Sequence, residues 1–143
     1  MAIVKRRTTF VVSILAALMS CSSPKPSTTG LGFVEQLSQS GKVQLTGWMR
    51  VSGEALIYET QDRMQSRAKY PYCVSGVFER HDPSKIAPYD GLRVIVVGTL
   101  FEFDSLKDDD SPVIPRKMLG GSVIANFCDG SKVLLMETVQ VAK

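Results

Sequence analysis

Residues 42–51, KVQLTGWMRV, alternate strictly between two sets of side chains. Val43, Leu45, Gly47, Met49 and Val51 share one side. Lys42, Gln44, Thr46, Trp48 and Arg50 share the other. A period of two is the mark of a strand with one face in a core and one in solvent. A helix would scatter these residues around its axis, so the segment commits the chain to a sheet with two distinct faces. The remaining pattern continues in strands. Ser52, Gly53 and Glu54 form a turn signal, and 55–60 (ALIYET) is a second strand, giving a hairpin. Residues 61–69 (QDRMQSRAK) carry no β period and read as a loop or one helical turn. Residues 72–78 (YCVSGVF) are a third strand, with Pro71 at its start, where a missing N–H does least harm.

Pro83 and Pro88 exclude a long helix between 80 and 91. Asp82 as N-cap and Pro83 at the first helical position predict one short helix there. Residues 92–103 (LRVIVVGTLFEF) are the strongest strand, and Gly98 in its middle predicts a bulge or sharp bend. After a polar excursion over 104–115, residues 123–128 read as a fifth strand. Asp129-Gly130 reads as a hairpin turn, and 132–141 (KVLLMETVQV) as a sixth strand. This order resembles the OB-fold, a five-stranded Greek-key barrel with a helix between its third and fourth strands. The expected fold is therefore all-β: a small OB-fold-like Greek-key barrel of five to six strands with one short helix, over residues 42–143. A small open sandwich and an SH3-like barrel are the alternatives.

The first thirty residues have a different character. Lys5, Arg6 and Arg7 precede ten uncharged, mostly apolar residues, 10–19 (FVVSILAALM). A membrane-spanning helix needs roughly 20 apolar residues, so this run is short for a span and has the shape of a secretory signal. Leu18, Ser20 and Cys21 resemble the lipobox of bacterial lipoproteins, with Met19 departing from the small residue usual there. The resemblance implies a signal peptide over 1–20 and acylation of Cys21. Several acyl chains, at about 0.8 kcal/mol per buried methylene, would anchor the protein durably. Ser22, where inner-membrane retention uses Asp in enterobacterial lipoproteins, implies the outer membrane, facing the periplasm; the inner membrane is the alternative. Residues 21–41 read as the modified cysteine and a flexible tether, of which 22–32 (SSPKPSTTGLG) would span roughly 20 Å.

Net charge is +3, and Lys5, Arg6 and Arg7 account for all of it. Of the 17 basic residues, the 14 outside that cluster face 14 acidic ones. A neutral body argues against a nucleic-acid partner. With Cys21 lipidated, Cys73 and Cys128 remain in an oxidising compartment, and a disulfide between them is expected, with two buried free thiols as the alternative. The further features Gly47-Trp48, 73–78 (CVSGVF), Tyr89-Asp90-Gly91 before a Val-rich strand, and Asn126-Phe127-Cys128 before a turn make the mature chain similar to small OB-like lipoproteins of Gram-negative bacteria. That likeness brings no chemistry with it.

Catalytic signals are weak. His81 is the single histidine, and no G-x-S-x-G elbow accompanies it. Neither a His-rich nor a C-x-x-C metal site can be built, and Asp108-Asp109-Asp110 lacks the alternation of a calcium loop. No enzyme activity, cofactor or metal is expected. The most informative surface pattern is Arg63, Arg67 and Lys69 running into Tyr70 and Tyr72, with Trp48 on the polar side of the first strand. Cations interleaved with aromatics can stack on rings and pair with anions. These six residues are the expected ligand-binding set. The expected function is a lipid-anchored periplasmic binding module of the cell envelope, without catalysis, whose partner is a protein or a glycan. The alternatives are an inhibitor or immunity-type factor against an envelope lytic enzyme and, behind it, an oligonucleotide-binding domain.

Overall fold

The computed structural model describes residues 31–143 apart from 81, 111, 112 and 114. The segment expected to be a signal peptide, Cys21, residues 22–30 of the expected tether and His81 lie outside the described residues. Five strands close a barrel: β1 (Gly41–Ser52), β2 (Glu54–Tyr58), β3 (Cys73–Phe78), β4 (Arg93–Glu102) and β7 (Lys132–Val141). Around the barrel they run β1-β2-β3-β7-β4, and β4 pairs back onto β1. Every pairing is antiparallel except β3 with β7. That one parallel pair forces the chain to leave β3, build β4 and return, which is the Greek-key path of the OB-fold. The expected OB-like barrel is the fold.

Alternation along β1 sets the core. Val43, Leu45 and Met49 point inward and are buried against Ile57, Val74, Val94, Val96, Leu134 and Met136. β1 pairs with two neighbours of the one closed barrel. Gly41–Trp48 pairs with β4, and Trp48–Ser52 pairs with β2, so Trp48 is the residue at which the strand bends across. Gly47 permits the bend, because a Cβ there would sit 2.4 Å from the Tyr58 carbonyl oxygen. The predicted irregularity at Gly98 is a register shift between Val97 and Gly98 in the β4–β7 ladder.

The packed domain starts before residue 42. Helix α1 (Phe33–Leu37) lays Phe33 and Leu37 into the core, so 33–41 belong to the barrel rather than to a tether. Apolar residues at a four-residue spacing put both on one helix face. Helix α2 (Gln61–Gln65) is the single turn expected after β2, capped by the Thr60 hydroxyl, which accepts the Arg63 N–H at 3.2 Å. The short helix expected near Pro83 is a pair of 3-10 turns, Pro83–Lys85 and Ala87–Tyr89, with Asp82 accepting the Ser84 N–H. The two strands beyond the barrel are β5 (Lys117–Leu119) and β6 (Ser122–Ile124), a small hairpin whose Leu119 and Ile124 are buried with Val77 and Val133.

The fifth expected strand needs correction. Residues 123–128 do not form one strand, and Asp129-Gly130 is no hairpin turn. β6 ends at Ile124 and pairs with β5, not with β7. Residues 125–130 form a compact turn, with Asn126 and Asp129 both in the left-handed region at φ 60° and 56°. A side chain from elsewhere takes the N–H groups a strand would have used. Among the described residues no helix is long and apolar enough to cross a membrane.

Candidate functional site

The outward face of β1 and β2 carries a cavity of about 300 Å³. Its floor follows from strand alternation. Arg50 and Ser52 point outward from β1, and Leu56, the register partner of Arg50, and Tyr58 point outward from β2. The 66–72 connection adds Arg67 and Lys69, and the 125–130 turn adds Phe127. Three cations therefore surround one phenol and one phenyl ring, and no carboxylate lines the cavity.

Tyr58 is 3% exposed. Burial pushes its phenol above the usual value of 10.0, while Arg50, Lys69 and Arg67 pull the other way by favouring the phenolate. At neutral pH it is an uncharged O–H among cations. Lys69 is partly neutralised: its ammonium lies 3.0 Å from the Asp129 carboxylate and also donates to the Phe127 carbonyl. Arg50 and Arg67 are in no ion pair among the described residues.

Arg67 is held in an unusual way. The end of α2 is a Schellman cap, in which Ala68 N–H donates to Arg63 O at 2.9 Å and Arg67 N–H donates to Met64 O at 3.2 Å. The residue between those bonds adopts φ 53°, a position that glycine normally fills. An arginine there aims a long cation at the β1–β2 face.

Phe127 is 45% exposed although its turn is firmly fixed. Glu54, the first residue of β2, is 2% exposed. Its carboxylate accepts three backbone N–H groups, from Ala125 at 2.8 Å, Asn126 at 3.4 Å and Phe127 at 2.8 Å. A buried anion satisfied by converging amides needs no counter-cation, and it leaves those amides unable to join a ladder. Cys73 and Cys128 are joined by a disulfide with Cα atoms 5.5 Å apart, as expected. The Cys128 N–H donates to the buried Ser75 hydroxyl at 3.1 Å, and the Asn126 side-chain amide donates to Gly130 O at 2.7 Å.

The structure divides the six expected ligand residues. Arg67 and Lys69 line the cavity. Arg63 and Tyr72 satisfy each other, the guanidinium lying 3.8 Å from the ring centroid. Tyr70 is a packing residue: its ring covers Gly130, and its N–H donates to Cys128 O at 2.9 Å. Trp48 sits half-buried at the β1 bend and does not line the cavity. Arg50, Tyr58 and Phe127 are the contributors that the linear pattern did not single out as ligand residues. Arg50 was visible on the polar side of the first strand. Tyr58 depends on register, and the exposure of Phe127 on the turn that replaced a strand.

The acidic run pairs locally rather than with the basic segment. Asp108 lies 2.7 Å from Lys117, and Asp109 lies 2.8 Å from Arg116. Among the described residues no group of three His, Cys, Asp or Glu side chains could hold a metal ion. Comparisons with protein-family models, curated proteins and solved structures find no match to this chain.

Proposed function

We propose that this protein is a lipid-anchored binding module of a bacterial envelope, facing the periplasm from the outer membrane, and that its barrel captures an anionic glycan. The address rests on the Lys5-Arg6-Arg7 cluster, the ten-residue apolar run and the lipobox-like Leu18-Met19-Ser20-Cys21. The observation that carries the ligand is the cavity: Arg50 and Arg67 without carboxylate partners, beside a buried phenol and an exposed phenyl ring. Guanidinium groups match carboxylate or phosphate in bidentate geometry. Aromatic rings offer the apolar platform on which a sugar ring can lie. At about 300 Å³ the cavity is small-molecule sized. A protein partner would need a complementary area of roughly 800 Å² on each side. These features favour a sugar unit over a protein surface.

Isothermal titration of the full chain in detergent micelles tests the reading. One probe is a hyaluronan tetrasaccharide, alternating uronate and N-acetylhexosamine; the other is the neutral N-acetylglucosamine tetramer. The acidic chain should bind and the neutral one should not. Arg50→Glu combined with Arg67→Glu should weaken binding by at least about tenfold. Equal binding of both probes, or a double variant that matches the parent, ends the glycan-anion reading. In parallel, Cys21→Ala should leave the membrane fraction and take up no labelled palmitate.

A further inference from the structure

A second cavity, of about 630 Å³, opens on the other side of Phe127. Phe127 lines both cavities, so this half-exposed residue is where the two adjoin. The second cavity differs in chemistry from the first. Val123 and Phe127, 38% and 45% exposed, give it apolar walls, joined by Ala125.

Its charges are mostly committed. The Glu54 carboxylate is taken by the three backbone N–H groups of the turn. Arg116 donates to Asp109 at 2.8 Å. Arg80 is exposed and in no ion pair among the described residues. Its backbone is fixed at φ 48°, its N–H donates to Gly120 O at 3.0 Å, and its stem lies over Gly121. The cavity therefore offers one uncommitted cation beside an apolar wall.

We propose that the two cavities are successive subsites for one acidic oligosaccharide that straddles Phe127. One anionic unit meets Arg50 and Arg67. The next places an apolar substituent, such as an N-acetyl group, against Val123, Ala125 and Phe127 and its negative charge at Arg80. This inference rests on the glycan reading above and extends it from a single sugar to a chain. The turn that carries Phe127 is rigid enough to divide a ligand. The Glu54 carboxylate holds the turn at Phe127, and the Cys73–Cys128 bond and the Ser75 hydroxyl both hold it at Cys128. A preorganised wall spares the ordering a mobile loop would have to undergo on binding.

A length series tests the proposal. The full chain in detergent micelles is titrated with hyaluronan disaccharide, hyaluronan tetrasaccharide and a four-residue oligothymidylate. The tetrasaccharide should bind about tenfold tighter than the disaccharide. In Arg80→Glu, and separately in Val123→Asp, that ratio should fall close to unity. Equal affinity of the two fragments for the parent, or a ratio unchanged in both variants, overturns the second subsite and leaves the single-sugar reading standing. Failure of both fragments to bind overturns the two readings together. Tighter binding of the oligothymidylate than of the tetrasaccharide, lost in the same variants, overturns the glycan and assigns the cleft to a nucleic-acid strand.

Discussion

Two irregular segments close over the barrel, 82–92 and 125–130, and they are held by opposite means. The first is a plug. Ile86 is fully buried in the main core, and Tyr89 donates its hydroxyl to Val139 O at 3.2 Å. The segment continues the edge of β1 after β4 has left it: Met49 N–H donates to Leu92 O, Gly91 N–H to Met49 O, and Val51 N–H to the Asp90 carboxylate. The second segment is a clamp. It buries the Cys128 side chain among Leu56, Tyr58 and Cys73 in a small satellite cluster, and is fastened by a carboxylate, a disulfide and an amide. The plug spends its buried side chains on the core. The clamp is fixed through backbone and sulfur, which leaves the Phe127 ring exposed on the rim. Backbone-directed fastening is what allows a rigid segment to display side chains to a ligand.

Loss of each fastening separates the two roles, and the largest effects lie here. Removing the disulfide releases a loop of 55 residues. On the chain-entropy account, Cys128→Ser lowers stability by about 4 kcal/mol. It should also weaken the acidic tetrasaccharide, because Phe127 is the adjacent residue. Ile86→Ala removes a fully buried side chain and lowers stability by about 3 kcal/mol. Below its melting transition it should bind the tetrasaccharide as the parent does. Urea unfolding and titration calorimetry on the two variants measure both quantities. A Cys128→Ser variant that binds unchanged while folded would erase the distinction between clamp and plug.

Arg67 sharpens the comparison at smaller scale. The left-handed region disfavours a residue with a Cβ by about 1–2 kcal/mol, partly offset by the greater unfolded-state freedom of glycine. Arg67→Gly should therefore be more stable than the parent by about 0.5–1 kcal/mol. The same change should weaken the tetrasaccharide by about tenfold, since an uncompensated guanidinium is lost from the cavity. Stability gained and binding lost at one position is the pattern of a residue kept for function. A variant both less stable and equally able to bind would make Arg67 a structural residue.

How much of this was legible follows from the range of each interaction. Alternation over 42–51 and 92–103 is local, and with the turn signals it led to the barrel; Gly98 even marked its bulge. Arg67 and Lys69 were visible because a cation run beside tyrosines is also local. The clamp was not. Glu54 and Phe127 are 73 positions apart, and nothing near 125–128 in the sequence says that a distant carboxylate takes its N–H groups. Without that knowledge, Val123, Ile124, Phe127 and Cys128 read as a strand. Arg63 and Tyr72 belong to the same local run, and the structure stacks them on each other outside the cavity lining.

The smallest effect concerns Tyr58, which belongs to the satellite cluster under the clamp while also forming the cavity floor. Its folded pKa is raised by burial, so the folded state holds the phenolic proton more tightly than the unfolded chain does. The stability this contributes is fully present below the unfolded value near 10.0 and is lost as pH climbs through the raised folded value. Unfolding free energy should therefore decline in that alkaline window, and Tyr58→Phe should show a shallower decline. Arg50, Lys69 and Arg67 oppose the rise, and a bound anion would cancel part of their field. Saturating hyaluronan tetrasaccharide should thus move the Tyr58 titration, followed by phenolate absorbance as the difference between parent and Tyr58→Phe, to still higher pH. Linkage then requires binding to weaken over the same interval, because the phenolate repels what the cations attract. An unmoved Tyr58 titration under saturating tetrasaccharide would place the anion away from the three cations and transfer the site to the other side of Phe127.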